Sequence, residues 1–399
     1  MNTKRTQQFE FKFPLLIFRT RAFLYFFDKV GSFCLSRLAS IIAVIIVPLV
    51  AIIALYLVFN SFFVLLSNPD AGEVIRDVGP GAYILLPGVN PLLPFIYGWI
   101  AIICAVAIHE VAHGVAARSL GLNVNSSGLL FFLFIPIGAF VEVDEEQLNR
   151  SRPTVSSRVL ASGVAGNAVS AFLSLLLLLM IVSGLKPIIE GVYVYEVSRE
   201  MPAEAAGILP GDVITSIDNV KINDIQDLRE ILNNKSPGDI VSVTVARGEK
   251  WKQKLTFKVN LTRDGNRTIM GVTVGNLIIT EALKNYQKAS LSNMFMYLIP
   301  PTLAPSIVPF SDSLAQFYTH WLDPYWHVLA NMLYWLWFVN FNVAIFNALP
   351  IYPLDGGRIF QITIRSVKWL DKHETKIIIA VTAIMLTVIL MSVVIPFIT

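Results

Sequence analysis

Three residues that can bind a metal or exchange protons lie within five positions, at His109, Glu110 and His113. On a helix, residues four apart share a face, so both imidazoles can reach one metal ion. A carboxylate beside them can take a proton from water that the metal has acidified. Because the chain has only five histidines and this segment is apolar, the spacing favours hydrolytic metal chemistry over a chance match.

A catalytic zinc ion takes three protein ligands and keeps one position for water or substrate. The extended pattern with a third histidine on the same segment is absent, because Ala116 and Ser119 occupy its positions. The other candidates are the carboxylates of apolar segments, above all Asp355, and the remaining histidines that follow, His320, His327 and His373. Asp355 follows two helix-breaking prolines and precedes Gly356 and Gly357, which permit close backbone approach. Taken locally, this segment predicts either a metal ligand or an ordinary turn.

The residues around these groups have the composition of a membrane protein. Of 399 residues, 55% are hydrophobic and 15% are charged, and the mean hydropathy is +0.63. Soluble domains carry about 25% charged residues. The net charge of +3 gives no indication of a nucleic-acid partner, whereas the apolar segments indicate the lipid bilayer. Five segments are long enough to span it, at 38–66, 91–120, 158–184, 325–349 and 376–398.

Two further apolar stretches do not have the features of simple spans. Segment 128–143 is short, contains Pro136 and Gly138, and is rich in branched and aromatic residues, which predicts a hairpin that dips into the membrane. Such backbone is tolerated there only when protein or a wet cavity surrounds it. Segment 291–310 contains four prolines, which favours an interfacial or re-entrant segment.

Charged residues return after position 188, and polar and apolar residues alternate there as they do in strands. This predicts a soluble, mainly β domain inserted between two spans. The chain therefore divides into four regions: 1–90 with the first span, 91–187 with the first part of the membrane core, the inserted domain 188–276, and 277–399 with the second part of the core. The two cysteines, Cys34 and Cys104, are predicted to be unpaired thiols.

The two motifs around His109 and Asp355 resemble those of the site-2 protease family, intramembrane metalloproteases of peptidase family M50. The resemblance extends from about Trp99 to Ser366. It implies one zinc ion per chain, with His109, His113 and Asp355 as ligands and Glu110 as the catalytic base. Asn347 matches the family's asparagine upstream of the aspartate. It is expected to bond to substrate or to the developing oxyanion, and bridging of two helices is the alternative.

The same resemblance assigns expectations to the hairpin and to the third span. The hairpin would present an edge to an extended substrate, which offsets the helical hydrogen bonds that the substrate loses. The residues expected to bind substrate there are Pro136, Gly138, Ala139 and Phe140. Gly163, Gly166 and Asn167 match the family's small-residue helix, for which a packing role is sufficient.

Segment 202–217 resembles part of a PDZ domain of the kind found in bacterial proteases. Such domains bind extended peptides or C-terminal carboxylates at a sheet edge. The expected binding strand begins at Gly191, Val192 and Tyr193. Alternatively, the domain is a steric filter that excludes bulky ectodomains, and the sequence leaves both roles open.

The expected fold is a polytopic α-helical membrane protein with about five spans, a membrane-embedded hairpin and an inserted, mainly β PDZ-like domain. The expected activity is regulated intramembrane proteolysis, in which transmembrane segments of membrane proteins are cleaved. The alternative is a non-catalytic membrane receptor or trafficking module that retains the fold. Glu110 favours the enzyme, because such a module has no use for a base beside a metal. The lack of inverted repeats disfavours a transporter.

The distribution of Lys and Arg predicts the orientation of the chain, because these residues concentrate in cytosolic loops. Segment 1–37 is basic and precedes an apolar run without a cleavage site, which predicts a retained anchor with the N-terminus inside. Its aromatic residues are expected to lie along the cytosolic membrane surface. The PDZ-like domain is then extracytoplasmic. The basic segment after Asp355 places the active-site opening in the cytosol, provided that segment 291–310 does not cross.

Overall fold

The computed structural model describes residues 9–68, 72–133, 135–265, 267–288 and 291–398, so the first eight residues of the basic N-terminus lie outside the described residues. The α-helices are α1 Leu24–Gly31, α2 Cys34–Ser67, α3 Glu73–Val78, α4 Phe95–Ser119, α5 Glu145–Arg150, α6 Pro153–Ser183, α7 Pro202–Ala206, α8 Ile225–Asn233, α9 Ile278–Gln287, α10 Trp326–Ala348, α11 Asp355–Arg365, α12 Lys368–Asp371 and α13 Glu374–Ile398. The strands are β1 Phe9–Lys12, β2 Leu15–Thr20, β3 Val124–Phe132, β4 Ile135–Val143, β5 Lys186–Pro187, β6 Val192–Val197, β7 Val213–Ile217, β8 Val220–Lys221, β9 Ile240–Arg247, β10 Gln253–Asn260, β11 Thr262–Asp264, β12 Arg267–Ile269, β13 Val272–Asn276 and β14 Tyr318–Thr319.

Among the described residues, five helices are long and apolar enough to cross a membrane, namely α2, α4, α6, α10 and α13. They are the five predicted spans, and the expected fold class is confirmed. In α4, large apolar side chains such as Ile96 and Ile103 are exposed, whereas small residues such as Ala101 and Ala105 are buried. This pattern is typical of helices that face lipid outward and pack closely inward. Within the described part of segment 291–310, a 3₁₀ helix at Leu291–Leu298 is followed by turns instead of a spanning helix.

The chain divides into two compact units. The first comprises residues 1–177 and 332–399, and the second comprises residues 178–331. In the first unit, α2, α6 and α10 pack through small side chains, among them Ala43, Ala161, Ala165, Ala344 and Ala348. Small residues allow helix backbones to approach closely in a membrane, where the hydrophobic effect does not drive helices to associate.

The predicted hairpin is part of a larger sheet in the first unit. It consists of β3 and β4 and begins at Val124, four residues before the predicted start. The strands β1 and β2 extend it to an antiparallel sheet in the order β1-β2-β3-β4. The N-terminal segment was expected to lie along the membrane surface, and its two strands were not predicted. The strand β1 pairs with β2, and β2 pairs with β3, which lies more than 100 residues further along the chain, so the local pattern gave no sign of this sheet.

The second unit contains the predicted PDZ-like domain. Its main sheet has the order β10-β9-β7-β6-β13, and β8 pairs with β7. The buried core includes Val192, Ile214, Leu228, Val243 and Met270. Helix α8 begins at a side-chain cap, because the carboxylate of Asp224 accepts hydrogen bonds from the amides of Gln226 and Asp227.

The prediction that a peptide binds along the strand at Gly191, Val192 and Tyr193 is wrong. These residues belong to or adjoin β6, which pairs with β7 on one side and with β13 on the other. Since both edges of β6 already have a partner strand, its backbone cannot accept an added peptide strand. The alternating pattern of β6 identified it as a strand but could not show its place in the sheet.

Candidate metal centre

Three donor atoms from distant parts of the chain meet in the first unit. The Nε2 atoms of His109 and His113 lie 3.1 Å apart, and each lies 3.1 Å from Oδ2 of Asp355. These three side chains are a candidate metal-binding group. All three are largely buried, with side-chain exposures of 11%, 12% and 12%. The expectation that Asp355 joins the two histidines therefore agrees with the geometry.

The orientation of His109 depends on a neighbouring helix. Its Nδ1 lies 2.7 Å from Oδ1 of Asn167 on α6. The amide nitrogen of Asn167 donates to the carbonyl of Ala105 and to Oδ1 of Asn340, so its Oδ1 is the acceptor for the imidazole. Asn167 and Asn340 are fully buried. Because Nδ1 carries the hydrogen, the lone pair of Nε2 points at the other two ligands.

His113 is fixed in the same way by a backbone group. Its Nδ1 donates to the carbonyl of Val159 at 2.8 Å, which leaves Nε2 as the free acceptor. Gly163 lies against this ring: a Cβ atom at that position would be 2.3 Å from Nε2 of His113 and 2.8 Å from Cε1 of His109. Only glycine leaves room for both imidazoles beside α6.

Asp355 is placed by a tight turn between α10 and α11. A Cβ atom on Gly356 would lie 2.3 Å from the carbonyl oxygen of Ala348, and one on Gly357 would lie 2.4 Å from the carbonyl oxygen of Ile351. The two glycines therefore allow α11 to begin directly against the end of α10. Asp355 is the first residue of α11, where a carboxylate also suits the positive end of the helix dipole.

Glu110 lies next to His109 on α4, and its carboxylate contacts the sheet. Its Oε2 accepts a 2.8 Å hydrogen bond from the backbone amide of Val141 on β4. Glu110 also lines the same cavity as the three ligands. The glutamate therefore lies between the candidate metal centre and the terminal strand of the sheet.

The cavity has a volume of about 340 Å³. Asn347 lines it, and its Nδ2 donates to the carbonyl of Val343 one helical turn earlier. On one wall, the guanidinium of Arg358 forms two hydrogen bonds of 3.2 and 2.8 Å with the carboxylate of Glu145. This ion pair joins α11 to α5, the helix that follows β4.

The donor set fits a divalent zinc ion. Two neutral imidazole nitrogens and one carboxylate oxygen are ligands that zinc takes, and with Glu110 beside them they leave a position for water. In a tetrahedral site with bonds of about 2.0–2.1 Å, ligand atoms are about 3.3 Å apart. The observed separations of 3.1 Å are close to this value. Without a cation, three acceptor atoms this close together would repel one another.

The residues predicted to bind substrate lie partly near this centre. Gly138, Ala139 and Phe140 are on β4, the strand that Glu110 contacts, and the backbone of Pro136 is in the same strand. Gly191, Val192 and Tyr193 belong to the second unit and are not part of the candidate metal centre.

Sequence reasoning missed several contacts of the centre. Asn167 was given a packing role only, but it orients His109. The Val159 carbonyl and the Val141 amide are backbone groups, whose direction no local pattern reveals. The nearby glycines Gly163 and Gly166 were the available signal for Asn167, because they lie where α6 packs closely against α4.

A bundle of spanning helices with a buried His-His-Asp group and an adjacent glutamate defines the class of membrane-bound metalloproteases. The profile of peptidase family M50 matches residues 97–391, which is most of the chain. The chain belongs to peptidase family M50 and is a multi-pass membrane protease.

Similar proteins include an uncharacterized protein of Methanocaldococcus jannaschii, which is 26% identical over 86% of this chain and 76% of its own length. A protein of Nostoc sp. named as a candidate zinc metalloprotease is 25% identical over 66% of this chain and 84% of its own length. Among solved structures, the PDZ domain of an SdrC-like protein from Listeria monocytogenes matches 22% of this chain and 92% of its own, at 27% identity and a TM-score of 0.20.

Proposed function

We propose that this protein is a zinc endopeptidase that cleaves transmembrane segments of membrane proteins within or beside the bilayer. The observation that carries the proposal is the position of Glu110. Its carboxylate lies in the same cavity as His109, His113 and Asp355 and is bonded to the terminal strand of the sheet. A base placed between metal ligands and a strand edge suits hydrolysis of an extended peptide. One zinc ion per chain is expected, and the name of the Nostoc relative also specifies zinc as the metal.

Each residue has a defined role in this reaction. When bound, a zinc ion acts as a Lewis acid and lowers the pKa of the water molecule bound to it to about 7. Glu110 takes a proton from the attacking water and passes it to the leaving amine. Asn347 donates a hydrogen bond to the developing oxyanion once its amide releases the carbonyl of Val343. Asn167 and the Val159 carbonyl hold the imidazoles in the tautomer that the metal requires.

The substrate lies along β4 as an added strand. In an antiparallel sheet, the backbone groups of alternate residues point to the same side. The amide of Val141 points away from β3 to Glu110, so the amide and carbonyl of Ala139 point outward as well. An unwound substrate that pairs with Ala139 recovers backbone hydrogen bonds that it lost with its helix. Pro136, Gly138 and Phe140 flank this position on the same strand.

The PDZ-like domain takes part in substrate selection, either as a filter or by binding peptide C-termini. For peptide binding we propose the edge of β13, because β13 ends the sheet beside β6. Gly271, with a φ of +82°, precedes this strand and makes a turn that other residues adopt only with strain. Helix α8 lies beside β13, where the amide of Ile225 donates to Oδ1 of Asn276.

Replacing Glu110 tests the proposal. Glu110→Gln removes the base but leaves all three ligands, so zinc content should stay near one per chain while cleavage falls about 100-fold or more. The substrate is a purified membrane protein with one helix, and products are identified by mass spectrometry. Glu146→Gln, at an exposed glutamate on α5 paired with Arg150, is the matched control and should retain activity. Zinc binding without any Glu110-dependent cleavage in the wild type would overturn the proposal and favour a non-catalytic receptor.

A further inference from the structure

A cluster of charged side chains lies on the sheet, on the face opposite to Val141 and Val143 of β4. At its centre is Arg19 of β2. Its Nη1 lies 3.2 Å from the carboxylate of Glu142 on β4, and its Nη2 lies 3.4 Å from the carboxylate of Glu10 on β1. The guanidinium also lies 5.5 Å from the centre of the Phe140 ring. One side chain therefore contacts the first and the last strand of the sheet.

Gly128 makes this long contact possible. Arg19 pairs with Gly128 on β3, and Gly128 pairs with Phe140 on β4, so the three residues form one row across the sheet. A Cβ atom on Gly128 would lie 2.5 Å from the Phe140 ring. Without a side chain on β3, Arg19 and Phe140 meet above the glycine, and the cation faces the ring.

The two faces of β4 are held by different groups. Val141 and Val143 pack against the cluster that includes Phe27 of α1 and Ala117 of α4. Because side chains alternate along a strand, Phe140 and Glu142 point to the opposite face. There Glu142 also accepts a hydrogen bond from the hydroxyl of Ser126 on β3.

The terminal strand β4 needs such support because backbone pairing holds it from one side only. Its other side must stay available to an added strand if it receives the substrate. Two side-chain contacts at adjacent residues fix it: the Val141 amide bonds to Glu110, and the Glu142 carboxylate bonds to Arg19. The backbone of β4 is therefore held at Val141 from its open edge, and the side chain of Glu142 is held on one face of the sheet.

We propose that Arg19 is a positioning residue that fixes the substrate-binding edge of β4 through Glu142 and Phe140. The N-terminal strands β1 and β2 then contribute to substrate binding, because they carry Arg19 and its ion-pair partner Glu10. This inference rests on the proposed function for its meaning in catalysis. The fixing of β4 itself is a property of the free protein and can be measured without substrate.

The first test is amide hydrogen exchange of the zinc-loaded, full-length protein in detergent micelles. Arg19→Ala should speed exchange at the β4 amides by about tenfold or more, since a local opening becomes easier. Glu10→Gln is the matched control, because it removes the ion pair between Arg19 and β1 and leaves the ion pair between Arg19 and Glu142 on β4. It should leave β4 exchange within about twofold of wild type. Unchanged β4 exchange in Arg19→Ala would overturn the proposal.

The second test is kinetic and uses the single-helix substrate. Arg19→Ala should raise KM about tenfold while zinc content stays at the wild-type level and kcat changes little, because a displaced edge weakens substrate pairing. Glu142→Gln removes the same ion pair with little change in shape and should act in the same direction. The double variant Arg19→Glu, Glu142→Arg should recover part of the loss, because it restores the ion pair with β4 but not the contacts of Arg19 with Glu10 and Phe140.

The outcomes separate the two proposals. A wild type that cleaves nothing refutes the proposed function, while the exchange experiment still decides the role of Arg19. A wild type that cleaves, with KM unchanged in both Arg19→Ala and Glu142→Gln, refutes the positioning role alone. Equal losses of kcat, zinc content and thermal stability in Arg19→Ala, without rescue by the double variant, would show a general folding role and also refute it.

Discussion

The ring nitrogen Nδ1 of His109 donates a 2.7 Å hydrogen bond to the side-chain oxygen of Asn167, which lies on a different helix. Asn167 is itself fixed by two donated bonds, to the Ala105 carbonyl and to Asn340. Three helices, α4, α6 and α10, therefore determine the direction of one candidate metal ligand. A buried amide in this position would influence a bound metal ion without contacting it.

We expect Asn167→Ala to weaken zinc binding about 10- to 100-fold, because His109 would lose the partner that fixes its tautomer and ring orientation. The measurement is zinc affinity by competition with a chelator. Asn342→Ala is the control: Asn342 lies on α10 and its amide donates to a carbonyl of its own helix, that of Phe338. Equal zinc affinities in Asn167→Ala and the wild type would contradict the assigned role.

Gly163→Ala should abolish zinc binding, since the added methyl group would lie 2.3 Å from Nε2 of His113. Gly166 is one turn further along α6, where a Cβ atom would lie 3.1 Å from Cβ of Ala112 and touch neither imidazole. Gly166→Ala should therefore lower thermal stability while zinc content is retained. Elemental analysis of the two purified variants distinguishes these results. Full zinc occupancy in Gly163→Ala would refute the geometry of the centre.

The location of peptide binding in the PDZ-like domain can be decided by hydrogen exchange. If a peptide C-terminus binds at the terminal strand, the amides of β13 should be protected on addition of peptide, because new backbone hydrogen bonds form there. The amides of β6 already pair with β7 and β13 and should change little. Protection confined to β6 would contradict the β13 assignment. No protection at any peptide concentration would favour the filter.

Much of this structure could be predicted from the sequence. The five spans follow from long apolar runs, and the pair His109 and His113 follows from helical spacing. The predicted β domain was confirmed, because alternation within β6 and β9 is a local property. From the local sequence alone, the role of Asp355 was undecided, since an Asp-Gly-Gly segment is usually a turn. The resemblance to a family identified it as a ligand, and its distance of 3.1 Å from both histidines agrees.

The features that could not be predicted are those that depend on partners far away in the sequence. Arg19 and Glu142 are 123 residues apart, so neither residue indicates the other. The place of β6 within its sheet is likewise a property of the assembled sheet and not of its own residues. Asn167 is a polar residue in an apolar helix. Such residues usually have a function, so the polarity of Asn167 was a second signal, beside the nearby glycines, for a role beyond packing.

The orientation of the chain remains a prediction that cysteine labelling can test. Cys34→Ser and Cys104→Ser first remove the two native thiols. Ser236 lies in the PDZ-like domain and Lys368 begins α12, and both are exposed. With an impermeant reagent on intact cells, Ser236→Cys should label and Lys368→Cys should label only after permeabilisation. The positive-inside rule is the physical basis. The reverse pattern would overturn the predicted topology.

The distance in sequence between the candidate metal ligands affects when the protein can become active. His113 and Asp355 are 242 residues apart, and the whole second unit lies between them. During synthesis, α4 enters the membrane long before α11 has been made. A nascent chain therefore carries the two histidines and Glu110 without a complete ligand set, and it cannot hold the metal as the finished protein does. The order of synthesis thus delays proteolytic activity until the PDZ-like domain is already made, so no peptidase exists in the membrane without the domain proposed to select its substrates.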